Sequence, residues 1–111
     1  MTILETLRAA RKKITPRERW TQRQTARTQS RRPCRATSPN AVCWCSAGAV
    51  LATTQDREIV SGCQTALEKV SYPWSFQHFN DARTHAEVLR AFDEAIAKLS
   101  QPHEEAQEPK A

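Results

Sequence analysis

Glycine is scarce in this chain: 111 residues contain only Gly48 and Gly62. Only short runs alternate apolar with polar residues, and the second half is rich in alanine, leucine, glutamate and lysine. Together these features favour helix over sheet. Long apolar runs are also missing. No stretch approaches the roughly 20 apolar residues of a membrane-crossing helix. Glu5, Arg8 and Arg11 to Lys13 interrupt any secretory apolar core at the start. Cytoplasmic residence without membrane contact is the expectation, and with it free thiols at Cys34, Cys43, Cys45 and Cys63. Zinc-type pairing is absent too, because one residue separates Cys43 from Cys45 where two to four is usual. No metal and no cofactor is expected.

What the chain does have is charge, unevenly spread. Residues 1–40 carry eleven lysines and arginines against two acids, a net +9; residues 41–111 carry six against ten, a net −4. The basic front half suits phosphate and the acidic back half does not.

Helix signals punctuate most of the sequence. Thr2-Ile3-Leu4-Glu5 is a capping box, and Ile3, Leu7, Ala10 and Ile14 share one face of a helix over about 3–14. Thr15-Pro16-Arg17-Glu18 repeats the signal, with Thr15 as N-cap of a short helical turn carrying Trp20. From Thr21 to Pro39 the chain is polar, with little periodicity, and predicts a long loop studded with Arg23, Arg27, Arg31, Arg32 and Arg35. Asn40 then reads as the N-cap of a helix over about 41–53. This is the central stretch, Ala41 to Val50, with Cys43 at its N3 position and small Ala47, Gly48 and Ala49 inviting close packing. Further helices are predicted at about 57–70, on the stripe Ile59, Val60, Cys63, Leu67, Val70, and at about 84–99, behind the capping box Thr84-His85-Ala86-Glu87. Trp74, Phe76, His78 and Phe79 fall on a connecting loop, as a lid on the core or as an aromatic contact patch.

The expected fold is therefore all-α: a small bundle of about four helices plus a short helical turn, with a long arginine-rich loop. Residues 1–100 form one helical domain whose basic loop spans 21–39, and residues 101–111 form a disordered tail. Trp20, Trp44, Leu67, Leu89, Phe92 and Ile96 are the expected core.

Several short words occur in order: Arg19-Trp20-Thr21-Gln22, Ala41-Val42-Cys43-Trp44-Cys45 with Gly48-Ala49, Phe79-Asn80-Asp81, and Thr84-His85-Ala86-Glu87-Val88-Leu89 with Phe92-Asp93 and Ala95-Ile96. In this the chain resembles, over about residues 3–99, a family of small uncharacterised actinobacterial and phage proteins, a domain of unknown function of the 6197 type. The resemblance implies a bacterial or phage source and no particular activity. It points to Trp20, Cys43, Trp44, Cys45, Asn80, Asp81 and His85 as positions to watch. Between Arg23 and Pro39 the chain departs from the family pattern, with arginines and Cys34 in place of a glycine, a tyrosine and an acidic turn.

Three functions fit these residues. The leading one is a noncatalytic binding module with a protein partner. The first alternative is nonspecific nucleic-acid contact, with Arg23, Arg27, Arg31, Arg32 and Arg35 meeting phosphates. The second is a thiol-dependent hydrolase or transferase, with Cys43 as nucleophile, His85 as base, and Asp81 or Asn80 orienting the imidazole.

Overall fold

The computed structural model describes residues 1–101 of the chain. Its frame is three amphipathic helices, α1 (Ile3–Lys13), α3 (Arg57–Ser71) and α5 (His85–Ser100), all in mutual contact. Local chemistry starts each one. Thr2 Oγ1 accepts from the Glu5 amide at 3.0 Å while the Glu5 carboxylate accepts from the Thr2 amide at 2.8 Å. Thr84 and Glu87 form the same reciprocal box at α5, and Asp56 accepts from the amides of Glu58 and Ile59 at α3. Between the helices, Leu7, Ile14, Cys63, Leu67, Val88 and Phe92 are sealed from water. Burying a leucine or phenylalanine side chain stabilises by about 1.5–3 kcal/mol each, so this contact holds the frame. A bidentate pair from Arg11 to Asp93, at 2.6 and 3.1 Å, ties α1 to α5 at the rim.

Two shorter helices complete the helical part. α2 (Ser46–Thr53) lies against α1, and α4 (Phe76–Ala82) contacts α2, α3 and α5. Phe76 is buried, stacks on Phe79 and meets Phe92 edge to face at 5.8 Å. The aromatic segment thus divides: Phe76 and half-buried Phe79 close the core, whereas Trp74 and His78 are exposed and stack on each other at 5.0 Å. Expected as a loop, it is a helix, capped by Ser75, whose hydroxyl accepts from the His78 amide.

The all-α expectation fails at residues 20–45. The fold is mostly helical, but β1 (Ala26–Arg27), β2 (Pro33–Cys34) and β3 (Cys43–Trp44) form an antiparallel sheet in the order β2-β1-β3. Ala26 pairs with Cys34 on one side and Trp44 on the other. Pro33, which has no amide to donate, stands on an edge strand, where proline is tolerated. The β1–β2 turn is closed by the Arg31 amide donating to the Thr28 carbonyl at 2.8 Å, with Arg31 at φ 71°. Glycine usually fills that left-handed position. The arginine segment is accordingly an ordered hairpin and its continuation, not a plain loop.

The central helix is also corrected. It begins at Ser46, not near Ala41, so Cys43 is a strand residue and Asn40 caps nothing. The N-cap is Cys45, whose Sγ accepts from the Gly48 amide at 3.2 Å. The start is displaced because residues 43–44 pair with β1 as strand; within α2, an added Cβ at Gly48 would clash with the Thr25 carbonyl oxygen. Only a glycine lets α2 sit this close to the backbone entering β1. Near Trp20 the short turn is a 3-10 turn, Arg17–Arg19, with Pro16 rather than Thr15 at the N-cap. Of the expected core, Leu67 and Phe92 are buried, while Trp20, Trp44, Leu89 and Ile96 pack half-buried against it. Apart from Gln101, which ends α5, the expected disordered tail lies outside the described residues.

Candidate functional site

Some of the residues singled out from the sequence meet in one polar cluster. At their centre is Asn80, fully buried on α4. Its Oδ1 accepts from the Trp20 indole N–H at 2.8 Å and from the Ser46 amide at 3.1 Å. Its Nδ2 donates to the Thr21 carbonyl at 3.2 Å and to Asp81 Oδ1 at 3.1 Å. Two acceptor sites and two donor hydrogens are thus all used. Gln22 adds a second seam, its Nε2 donating to the carbonyls of Asn80, Asp81 and Arg83 at the end of α4. Asp81 Oδ1 accepts from the Arg23 amide at 2.8 Å, fixing that residue at φ 70°. A left-handed non-glycine residue costs about 1–2 kcal/mol, which these bonds offset. The words Arg19-Trp20-Thr21-Gln22 and Phe79-Asn80-Asp81 are therefore two sides of one clasp.

The thiols and the imidazole have other partners. Cys43 is fully enclosed; its Sγ accepts from Arg31 at 3.6 Å and lies 4.0 Å from the Arg27 carbonyl. His85, buried at the first position of α5, hydrogen-bonds through Nε2 to the Ile14 carbonyl at 2.7 Å. A carbonyl only accepts, so Nε2 carries the proton and pins α5 to the end of α1. The imidazole also packs on Trp20 at 5.3 Å. Among the described residues no hydrogen bond joins His85 to Cys43, Asn80 or Asp81. Burial pushes the Cys45 thiol above its ordinary value, against the Gly48 and Ala47 amides, with the Asp81 charge adding to the rise. Cys43 and Cys45 belong to an extended run and not to a helix, and all four cysteines are free. No three His, Cys, Asp or Glu side chains converge as a metal site among the described residues.

The five expected arginines differ in what they do. Arg27 is half-buried and braces the hairpin, donating from Nε to Thr21 Oγ1 at 3.0 Å and from its terminal nitrogens to the carbonyls of Arg31 and Gln22. Arg23, Arg31, Arg32 and Arg35 are exposed. Ion pairs among the described residues use Arg11, Arg83 and Lys98, none of them on the hairpin. An open groove of about 600 Å³ runs beside it, lined by Arg17, Glu18, Trp20, Thr21, Gln22, Arg23, Arg27 and Arg31. Arg17 was not anticipated as part of this surface. Its signal was present in the start of the short turn, which faces the same groove, but only the tertiary arrangement brings it beside Arg23. Lys13 likewise lies over the Trp44 ring at 4.6 Å, a cation–π contact invisible in sequence order.

No described helix is long and apolar enough to cross a membrane. No curated protein and no solved structure matches the chain. Residues 1–98 do match the profile of a family of unknown function (DUF6197), and the chain belongs to that family.

Proposed function

We propose that this protein is a noncatalytic binding module whose working surface is the arginine hairpin, and that it holds the phosphate backbone of nucleic acid without reading the bases. The observation that carries this is the unneutralised set Arg23, Arg31, Arg32 and Arg35, exposed on an ordered scaffold with no carboxylate paired to it among the described residues. Arginine to phosphate contacts supply affinity that is largely blind to sequence. The noncatalytic part is supported by occupancy: Asn80 has spent its hydrogen-bonding capacity, His85 Nε2 is committed to Ile14, and Cys43 has no exposed surface. A nucleophile needs access and a free base beside it.

The test is salt dependence. Four phosphate contacts to a single strand predict that affinity falls roughly fiftyfold between about 50 and 200 mM salt, measured by fluorescence anisotropy on oligonucleotides of unrelated sequence. Affinity that does not change over that range would remove the reading. A protein partner is the second reading, favoured by Tyr72 at 82 % and Trp74 at 50 % exposure. Exposed aromatic side chains of this kind anchor protein interfaces. If Trp74→Ala weakens oligonucleotide binding and Arg32→Gln leaves it unchanged, the aromatic patch and not the hairpin is the working surface.

A further inference from the structure

We infer that the groove beside the hairpin, where Arg17 and Arg27 join Arg23 and Arg31 of the basic face, is a site for a doubly charged phosphate group, a phosphomonoester or a diphosphate. The inference rests on the basic-face reading above for a polymeric source of that phosphate, but not for the chemistry of the groove.

Four guanidinium residues, Arg17, Arg23, Arg27 and Arg31, line one open cleft together with a single carboxylate, Glu18. None of the four is in an ion pair among the described residues. Like charges gathered this way repel one another until an anion joins them. A diester brings one negative charge and a monoester nearly two, so the monoester or diphosphate is the better match to a groove carrying a net +3.

The donors are also held in place beforehand. Arg27 is fixed by three hydrogen bonds to Thr21, Gln22 and Arg31, and of its five N–H groups two remain uncommitted. Arg23 and Arg31 are the two non-glycine residues with positive φ among the described residues, and both line this groove. Asp81 holds the backbone of the first and the hairpin turn that of the second, whose guanidinium also donates to Cys43 Sγ at 3.6 Å. Glycine would adopt either conformation freely, yet both positions carry an arginine that lines the same cleft. Planar guanidinium groups bind phosphate oxygens in pairs of parallel hydrogen bonds, which gives such a cluster its selectivity for phosphate over halide.

The experiment is an NMR titration of the full chain with sodium pyrophosphate at constant ionic strength. Saturable amide shifts confined to residues 17–32 are expected, with dissociation below about 1 mM. The double variant Arg23→Gly/Arg31→Gly should bind at least about tenfold more weakly while keeping its melting temperature, because glycine accepts both backbone conformations. If that variant does not fold, Arg17→Gln, on the 3-10 turn outside the hairpin, replaces it and should weaken binding severalfold. A control pair, Arg8→Gln/Arg57→Gln, removes the same charge elsewhere and should leave affinity within about twofold. No saturable shift at about 10 mM, or equal weakening in the control pair, would overturn the inference.

Competition between a 5′-phosphorylated oligonucleotide and its 5′-hydroxyl twin then separates the sources. Tighter binding of the phosphorylated strand assigns the groove to strand ends. Pyrophosphate binding without that difference assigns it to a free phosphorylated small molecule. Salt-sensitive oligonucleotide binding that pyrophosphate neither perturbs nor competes with would sink the groove but leave the basic-face reading standing. Pyrophosphate binding with no oligonucleotide binding would do the reverse.

Discussion

The helical frame and the stitched segment over residues 20–45 are held together by different physics. In α1, α3 and α5 the binding force is apolar area removed from water, around Leu7, Leu67 and Phe92. In the segment the buried apolar groups are small, Ala26, Ala36, Cys43 and Cys45, and the strands are two residues long. Its order comes from side chains: Asn80, Gln22 and Asp81 bond to backbone about 60 residues away, and Arg27 braces Thr21, Gln22 and Arg31 within the segment. A frame of the first kind resists loss of any one polar contact. A segment of the second kind depends on a few.

The two largest expected effects use that difference. Asn80→Ala leaves the Trp20 indole, the Ser46 amide and the Thr21 carbonyl without partners and should destabilise by about 3 kcal/mol, or about 15 °C in melting temperature. Hydrogen exchange should show residues 20–45 opening first while the amides of α1 and α5 stay protected. Phe92→Ala, of similar or greater cost at about 3–5 kcal/mol, should instead lower protection everywhere. Identical exchange patterns in the two variants would erase the distinction between the regions.

The two glycines give the next contrast. Gly48→Ala sets a Cβ against the Thr25 carbonyl oxygen, a backbone atom that moves only with the sheet entrance, and should cost about 2 kcal/mol despite alanine's better helix propensity. Gly62→Ala meets side-chain atoms of Ile3, Cδ1 and Cγ1, rather than backbone, so it should cost less than Gly48→Ala, about 1 kcal/mol. Urea titration of both variants checks this, and an equal loss at Gly62 would mean that the α1–α3 contact is as unforgiving as the α2–hairpin contact.

The smallest effect is confined to alkaline solution. Burial pushes the Cys63 thiol from its ordinary 9.0 up to about 11, and its sulfur lies 3.7 Å from the Ile3 carbonyl. The unfolded chain therefore gives up this proton first. The stability concerned is whole below about pH 9 and is lost as the pH climbs towards 11. Cys63→Ala should flatten the decline in melting temperature over that interval, and an unaltered slope would show that other groups cause it.

How far the sequence could be read followed the same division. α3 and α5 were legible to within a residue or so, because side-chain caps and apolar stripes act over four residues of chain. The hairpin was hidden because its left-handed turn position holds Arg31 where a glycine would have announced it. The central run misled because Cys43 and Trp44 are as apolar as a buried helix, and a short apolar run reads equally as strand. Trp20, Asn80, Asp81 and His85 were legible as residues of interest, yet the part each plays was not.

By itself, the sequence determined the capped amphipathic helices and the basic front half, since both depend on neighbours a few positions apart or on simple counting. Tertiary structure alone decided that Cys43 lies in a strand, that Asn80 closes a clasp, and that Arg17 joins Arg23, Arg27 and Arg31 around one groove. Asn80's partners Trp20, Thr21 and Ser46 stand 60, 59 and 34 residues away in the chain. A hydrogen bond across that separation has no local signature, because it exists only after the helices have packed.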